Sequence, residues 1–400
     1  MSSDPEAFIL ALAQALHVAG APAHRLEDAI AQLSPRLGIE ARVFSSPTAV
    51  MISFGPPAAM RTTLLRVEPA GIDLEGMTRL DELIDALSAG RIEVAEARAG
   101  LDALAHAPDR YPAWLTVLAY GLASATVARF LDGGGREIAA AGLIGLQTGV
   151  LASQASRHPG AARLLEWIAS LLAGAASVLW AAVFGPLAAT LAALAGLIVI
   201  VPGLNLTVAL TELATRNLVS GTARLAGAAT TFLAIGFGLA LGAKLAPLAA
   251  GRVLALPSGG LPGWTAMLAL MLSPIALTIG FRGRPRDAFV IFASGCVAFG
   301  LARAGSNWGG PEFGMLFAAF ATGLLGNAWA RVTRRPAAVP IVPALILLVP
   351  GTLGVRGVSS LVARDVVPGV EFVFTLVVVA GALAAGLLFA NLVLPPRRTL

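Results

Sequence analysis

Val201-Pro202-Gly203-Leu204-Asn205-Leu206-Thr207 breaks one long apolar run, and Val349-Pro350-Gly351-Thr352-Leu353-Gly354-Val355-Arg356 breaks another. The two prolines are 148 positions apart (350 − 202), and the same offset carries Arg216 onto Arg364 and Gly221 onto Gly369. Each run is long enough to cross a bilayer, where lipid offers no partner to backbone groups freed by a helix break. Such a break persists only where protein or an aqueous cavity satisfies those groups. A broken apolar helix in each half of a chain is therefore a pointer to a transporter's binding site.

Composition agrees. Of 400 residues, 57% are hydrophobic and only 13% are charged, against roughly 25% charged in a soluble domain. The charges are uneven: residues 1–110 carry an ordinary mixture, whereas 111–400 are nearly free of acids. The expected organisation is a small cytosolic α+β domain (1–110), a first five-helix membrane half (111–256) and a second (257–400). In the first domain, helices are expected at 4–18, 23–33, 76–88 and 91–106, and short strands at 39–45, 48–54 and 62–68.

About ten transmembrane helices follow, near 112–131, 137–155, 164–184, 187–209, 219–242, 262–281, 287–303, 312–331, 340–362 and 371–394, each close to the roughly 20 residues that hydrocarbon requires. With the N-terminal domain in the cytoplasm, the inward loops collect Arg157, Arg163, Arg216, Arg224, Arg282, Arg284, Arg286, Arg331, Arg334 and Arg335, as the positive-inside bias demands. Ten spans divide five and five, and an odd number per half inverts the second half. The fold class is thus a mainly α-helical polytopic membrane protein with a 5+5 inverted repeat. No basic, cleavable leader is read at the start, so the first span is expected to direct insertion.

The net charge of +5 is mostly arginine in short loops, with Lys244 the only lysine, and does not indicate nucleic-acid binding. Cys296, alone in an apolar run, excludes an intrachain disulfide and a cysteine-based zinc site. The four histidines are dispersed and no metal or other cofactor is expected. No nucleophile-base constellation appears, which argues against an enzyme.

The polar residues after the first break are the candidate substrate site: Asn205, Thr207, Glu212, Arg216 and Asn217, joined by Arg356 after the second, with Pro202, Gly203, Pro350 and Gly351 as the breaks. Glu212 and Arg216 are four apart, so they can pair on one helical face. They either line the path, binding amine or proton and carboxylate, or form an interfacial ion pair. Arg356 either binds a carboxylate or snorkels to the interface. Gln147 and Asn327 are further lining candidates, or else hydrogen-bond between helices. Arg25 and Glu27 either pair within the first domain or gate the inner mouth.

The chain resembles the bacterial threonine/serine exporter family along nearly its whole length. HVAGAPAHRLE at 17–27, FSSPTA at 44–49, GIDL at 71–74, Pro202-Gly203 with Ser220, Gly221 and Arg224, and Pro350-Gly351 with Arg356-Gly357 carry the resemblance. It implies export of threonine and serine driven by the proton motive force across the bacterial inner membrane. The implied partners are a small amino acid, protons and the bilayer, with a homo-oligomer possible. Related two-protein systems imply dicarboxylate export as the alternative, and a membrane-anchored hydrolase is the remaining rival. Near the first break the family's acidic residues are represented here by Glu212 alone.

Overall fold

A computed structural model describes residues 4–396 apart from 70, 251–258, 349–350 and 363. The N-terminal α+β unit opens with α1 (Pro5–Val18), capped by Asp4, whose side chain accepts the Glu6 N–H at 3.0 Å. Then come α2 (Ala23–Leu33), β1 (Ala41–Ser46), β2 (Ala49–Phe54), β3 (Arg61–Arg66), α3 (Leu74–Ser88) and α4 (Val94–Ala105). The sheet is antiparallel in the order β1-β2-β3, with Val43 opposite Ile52 and Ile52 opposite Thr63. Alternation along β2 buries Val50, Ile52 and Phe54 against Phe8, Leu12, Leu16, Leu26 and Ile30. The expected strands and helices all form, with no end moved by more than three residues.

The remainder is helical: α5 (Ala113–Phe130), α6 (Gly135–Ala155), the one-turn α7 (Pro159–Ala162), α8 (Leu165–Phe184), α9 (Ala189–Gly196), α10 (Gly203–Ala214), α11 (Leu218–Leu245), the one-turn α12 (Pro247–Ala250), α13 (Trp264–Gly280), α14 (Ala288–Gly309), α15 (Pro311–Thr333), α16 (Ala338–Leu348), α17 (Gly351–Val362) and α18 (Val366–Val393). Among the described residues, eight segments are long and apolar enough to cross a membrane; one of them is 338–362, which takes in α16 and α17. Of the ten expected spans, 264–280 is a shorter apolar helix. The expected span 187–209 is instead two short helices, α9 and α10, with a turn between them and Pro202 at the N-cap of α10. Proline lacks the N–H that a continuous helix would need there. The second break, at 349–350, lies outside the described residues, and Gly351 is the first residue of α17.

The offset read from the prolines extends to whole helices. α10 and α17 begin at Gly203 and Gly351 and end at Ala214 and Val362; α11 and α18 begin at Leu218 and Val366 and end at Leu245 and Val393. All four differences are 148 (351 − 203 and 393 − 245 among them). The turns match too. Arg216 and Arg364 both take the left-handed conformation with φ 66°. The next residue closes a six-residue ring in each, Asn217 N–H to Glu212 O and Asp365 N–H to Ser360 O, which is a Schellman C-cap with arginine where glycine is usual. A methyl at Gly221 would strike Leu213, and one at Gly369 would strike Leu361, so both hairpins close on the same small residue.

An earlier pair obeys a similar offset. Asp132 and Arg282 end α5 and α13 with φ 61° and 53°, and Gly133 and Gly283 donate to Ala128 O and Thr278 O. α5 and α13 run antiparallel. Tyr111 at the start of α5 donates to Gly283 O beyond the end of α13 at 2.8 Å, while Arg129 near the end of α5 donates to Thr265 at the start of α13 at 2.6 Å.

Candidate functional site: two cavities and a strap

The larger inner cavity, about 370 Å³, lies where α5 and α13 meet the turn before α10 and the end of α16. Ile198 and Val199 reach it from the turn before α10, and Ile346 and Leu347 from the end of α16. These are the same positions of the two halves, 148 apart (346 − 198). α5 and α13 supply matching positions as well: Ala123 with Ser273, Thr126 with Ala276, and Val127 with Leu277, each 150 apart (273 − 123). The polar groups on the wall are Tyr120, Thr126 and Ser273, with Asp73 and Arg282 at the N-terminal unit's side. Arg282 is bonded to Asp73 at 3.5 Å and Asp109 at 3.1 Å.

A second cavity of about 150 Å³ lies between α10 and the N-terminal unit. Asn205, Thr207 and Thr211 face it from one side, His24 and Arg25 from the other, and Arg224 completes it. Ile72 lines both cavities. It belongs to the strap between β3 and α3 and packs with Leu204, Leu345 and Leu348. Asp73 N–H to Ala19 O and Leu74 N–H to Phe281 O, both 3.0 Å, pin the strap to the α1–α2 turn and to the end of α13. Gly20, at φ 83°, is required in that turn: a β-carbon there would lie 2.6 Å from Gly71 O.

The N-terminal unit is held on by buried charge. α2 has Pro22 at its N-cap and no capping side chain of its own. Glu212 of α10 takes that place, accepting the Ala23 N–H at 3.0 Å. The same carboxylate accepts from Ser220 at 2.8 Å and from Arg224 Nε at 3.1 Å, and is wholly buried. On the opposite side Arg284 grips Glu82 at 2.6 Å, and Arg110 and Arg79 bind Glu75. The Arg110 hydrogen bond first, and then Arg79, hold the Glu75 carboxyl below its ordinary range; Arg284 does the same for Glu82. Burial pushes His24 down to about 4, with Arg25 and Arg224 adding to the shift, so this imidazole is neutral at pH 7.

Of the residues singled out in the sequence, Asn205 and Thr207 share the smaller cavity. Glu212 lies beside it but pairs with Arg224, not with Arg216, which is exposed in the α10–α11 turn. The spacing of four misleads because the helix ends before Arg216. Asn217 is the N-cap residue of α11. Arg356 is half-buried on α17, lines neither cavity, and has no hydrogen bond or ion pair among the described residues. Asn327 ties α15 to α18 through Asn391 at 2.9 Å and Leu394 O at 2.7 Å. The Gln147 amide nitrogen is buried without a partner, away from both cavities. Arg25 and Glu27 do not pair: Glu27 accepts the Ser45 N–H at 2.7 Å, and Arg25 faces the cavity.

Sequence reasoning missed Tyr120, Ser273, Ile72 and the Glu212–Arg224 pair. Extending the repeat offset would have found Ile198 with Ile346, but a pair twelve residues apart across a turn leaves no periodic signal.

Comparison with known proteins settles the family. Residues 7–246 match the family model described as "Putative threonine/serine exporter", and 266–393 match that described as "Threonine/Serine exporter, ThrE". Pheromone-regulated membrane protein 10 of Candida albicans (strain WO-1) is 30% identical over 375 residues, covering 89% of this chain and 33% of that protein. The proteins of that name from Pichia sorbitophila and Saccharomyces cerevisiae (strain YJM789) are 29% and 27% identical, each over 89% of this chain and 37% and 47% of their own lengths. The chain thus spans a third to a half of these relatives. No solved structure matches it. With both membrane halves and the N-terminal unit matched in order, the chain belongs to the threonine/serine exporter family and is a multi-pass membrane protein.

Proposed function

We propose that the protein is a proton-driven exporter of small hydroxy amino acids, threonine and serine, working by alternating access between two inverted five-helix halves. The observation that carries this reading is the larger cavity, walled by equivalent residues of both halves. Transporters built on inverted repeats hold substrate at the repeat interface, beside discontinuous helices. The antiparallel α5 and α13 and the 148-residue offset of the last two helix pairs support the inversion. Ten membrane segments follow if α9 with α10, and α16 with α17, each count as one broken span.

In this reading Tyr120, Thr126 and Ser273 supply hydrogen bonds suited to a hydroxyl side chain. The N-terminal unit is cytoplasmic, and its Ile72 strap is the inner gate between the chamber and the Asn205–Thr207 vestibule. Glu212 is the acidic group placed to couple protons to that gate, since its carboxylate holds both the membrane helices and α2. Protonation would weaken its bonds to Arg224 and Ala23 together. Gradient-driven uptake of labelled threonine into inverted vesicles, compared between wild type and Glu212→Gln, tests the coupling. Equal dependence on the pH gradient in both would remove Glu212 from it. The pair Arg25 and Arg224 on the vestibule favours dicarboxylate export as a second reading; competition of threonine flux by succinate separates the two.

A further inference from the structure

Arg25 is a cation without a partner. It sits in the first turn of α2, lines the smaller cavity, and makes no hydrogen bond or ion pair among the described residues. Burial lowers its pKa, and the only compensating charge acting on it is the exposed Asp28. Its neighbour His24 also faces the cavity, and His24 Nδ1 is buried with no partner. Arg224, on the same cavity, is by contrast paired with Glu212 through its Nε. A desolvated guanidinium left unpaired is unfavourable unless an anion completes it. Guanidinium offers a planar fork of donors that fits a carboxylate in a bidentate pair. Opposite it, Asn205 and Thr207 bring neutral hydrogen-bonding groups, and the wall between is apolar.

We propose that Arg25 binds the carboxylate of the transported molecule, so that the N-terminal unit contributes a substrate contact of its own as well as a gate. The site is the vestibule, occupied before the substrate passes Ile72 into the larger chamber. This rests on the transport reading above but makes a separate demand: recognition at Arg25 requires a carboxylate, whatever the rest of the molecule is.

The test has two parts. In reconstituted vesicles, Arg25→Gln is expected to raise the KM for L-threonine about tenfold to a hundredfold, the effect of losing a hydrogen bond to a charged group, with kcat changed far less. Arg25→Lys should recover part of the loss. An unchanged KM in Arg25→Gln overturns the proposal. The second part uses the wild-type full chain and so does not depend on a variant folding. Arginines are modified with phenylglyoxal and mapped by mass spectrometry in the presence of L-threonine, succinate or threoninol, which lacks the carboxylate. Protection of Arg25 by threonine and not by threoninol supports the proposal. Protection by succinate alone keeps the Arg25 site and sinks the amino-acid reading. Equal modification of Arg25 under all conditions overturns the site.

Discussion

The bond from Ala23 N–H to Glu212 is the test case for how the N-terminal unit is held. Glu212 has 0% exposure and three donors: Ala23 N–H, the Ser220 hydroxyl and the Arg224 guanidinium. Only the first crosses between the N-terminal unit and the membrane helices, so only it is lost on undocking. A hydrogen bond to a charged group contributes about 1.5–3 kcal/mol, equivalent to about a tenfold to hundredfold change in the docked-to-undocked ratio. Ala23→Pro removes that donor alone. Proline is favoured at the first position of a helix, and Pro22 already has the extended conformation, ψ 152°, that must precede it. Glu212→Ala removes the same bond and also strands Arg224, whose side chain is 18% exposed. That second loss, about 3–5 kcal/mol for breaking a buried pair, is felt docked and undocked alike and lowers global stability. Hydrogen exchange read by mass spectrometry separates the two effects. Ala23→Pro should speed exchange across α2 about tenfold or more while β2 stays protected; Glu212→Ala should do this and lower the melting temperature as well. If Ala23→Pro leaves α2 exchange within twofold of wild type, Glu212 does not latch the unit and the argument fails.

Three other outcomes are expected. Gly20→Ala meets both an unfavourable left-handed φ and Gly71 O, so the Ile72 strap should shift and become cleavable near residue 71 in limited proteolysis; an uncut strap would contradict its tight clamping. Gly242→Ala would place a methyl 2.0 Å from Leu171 O, a backbone atom that cannot rotate away, so α8 and α11 should separate at a cost of about 1–3 kcal/mol, seen as a lower melting temperature in detergent. Acid should loosen the N-terminal unit in two stages. His24, pushed from 6.5 to about 4, is neutral when folded but protonated when unfolded across that range, so stability falls as pH drops from 6.5 to about 4. Glu75 and Glu82, held below 4.5, contribute fully above that pH and lose their contribution below it. His24→Asn should shrink the first stage in a pH-resolved exchange experiment, leaving the share of His17, whose pKa burial also lowers, and keep the second.

Much of the architecture was written locally. Apolar run length marks the membrane helices, because hydrocarbon thickness dictates their length. Pro202 stands at the N-cap of α10, and the identical offset of Arg364 and Gly369 follows from two hairpins closed by the same left-handed cap and the same close helix contact. The alternation in β2 and the stripe on α1 fix the α+β core by the same local logic.

What the chain does with its charges was decided in three dimensions. Spacing makes Glu212 and Arg216 neighbours on a continuous helix, but a Schellman turn sends Arg216 outward and the returning helix delivers Arg224 instead. Nothing near Pro22 reveals that a residue 189 positions away caps its helix, because a missing cap shows in sequence and its replacement does not. The wall pairing Ile198 with Ile346 exists only once the turn before α10 and the end of α16 meet α5 and α13. Short-range order is set by sterics and hydrogen bonding along the chain, whereas a cavity is defined by surfaces that meet only after the helices have crossed.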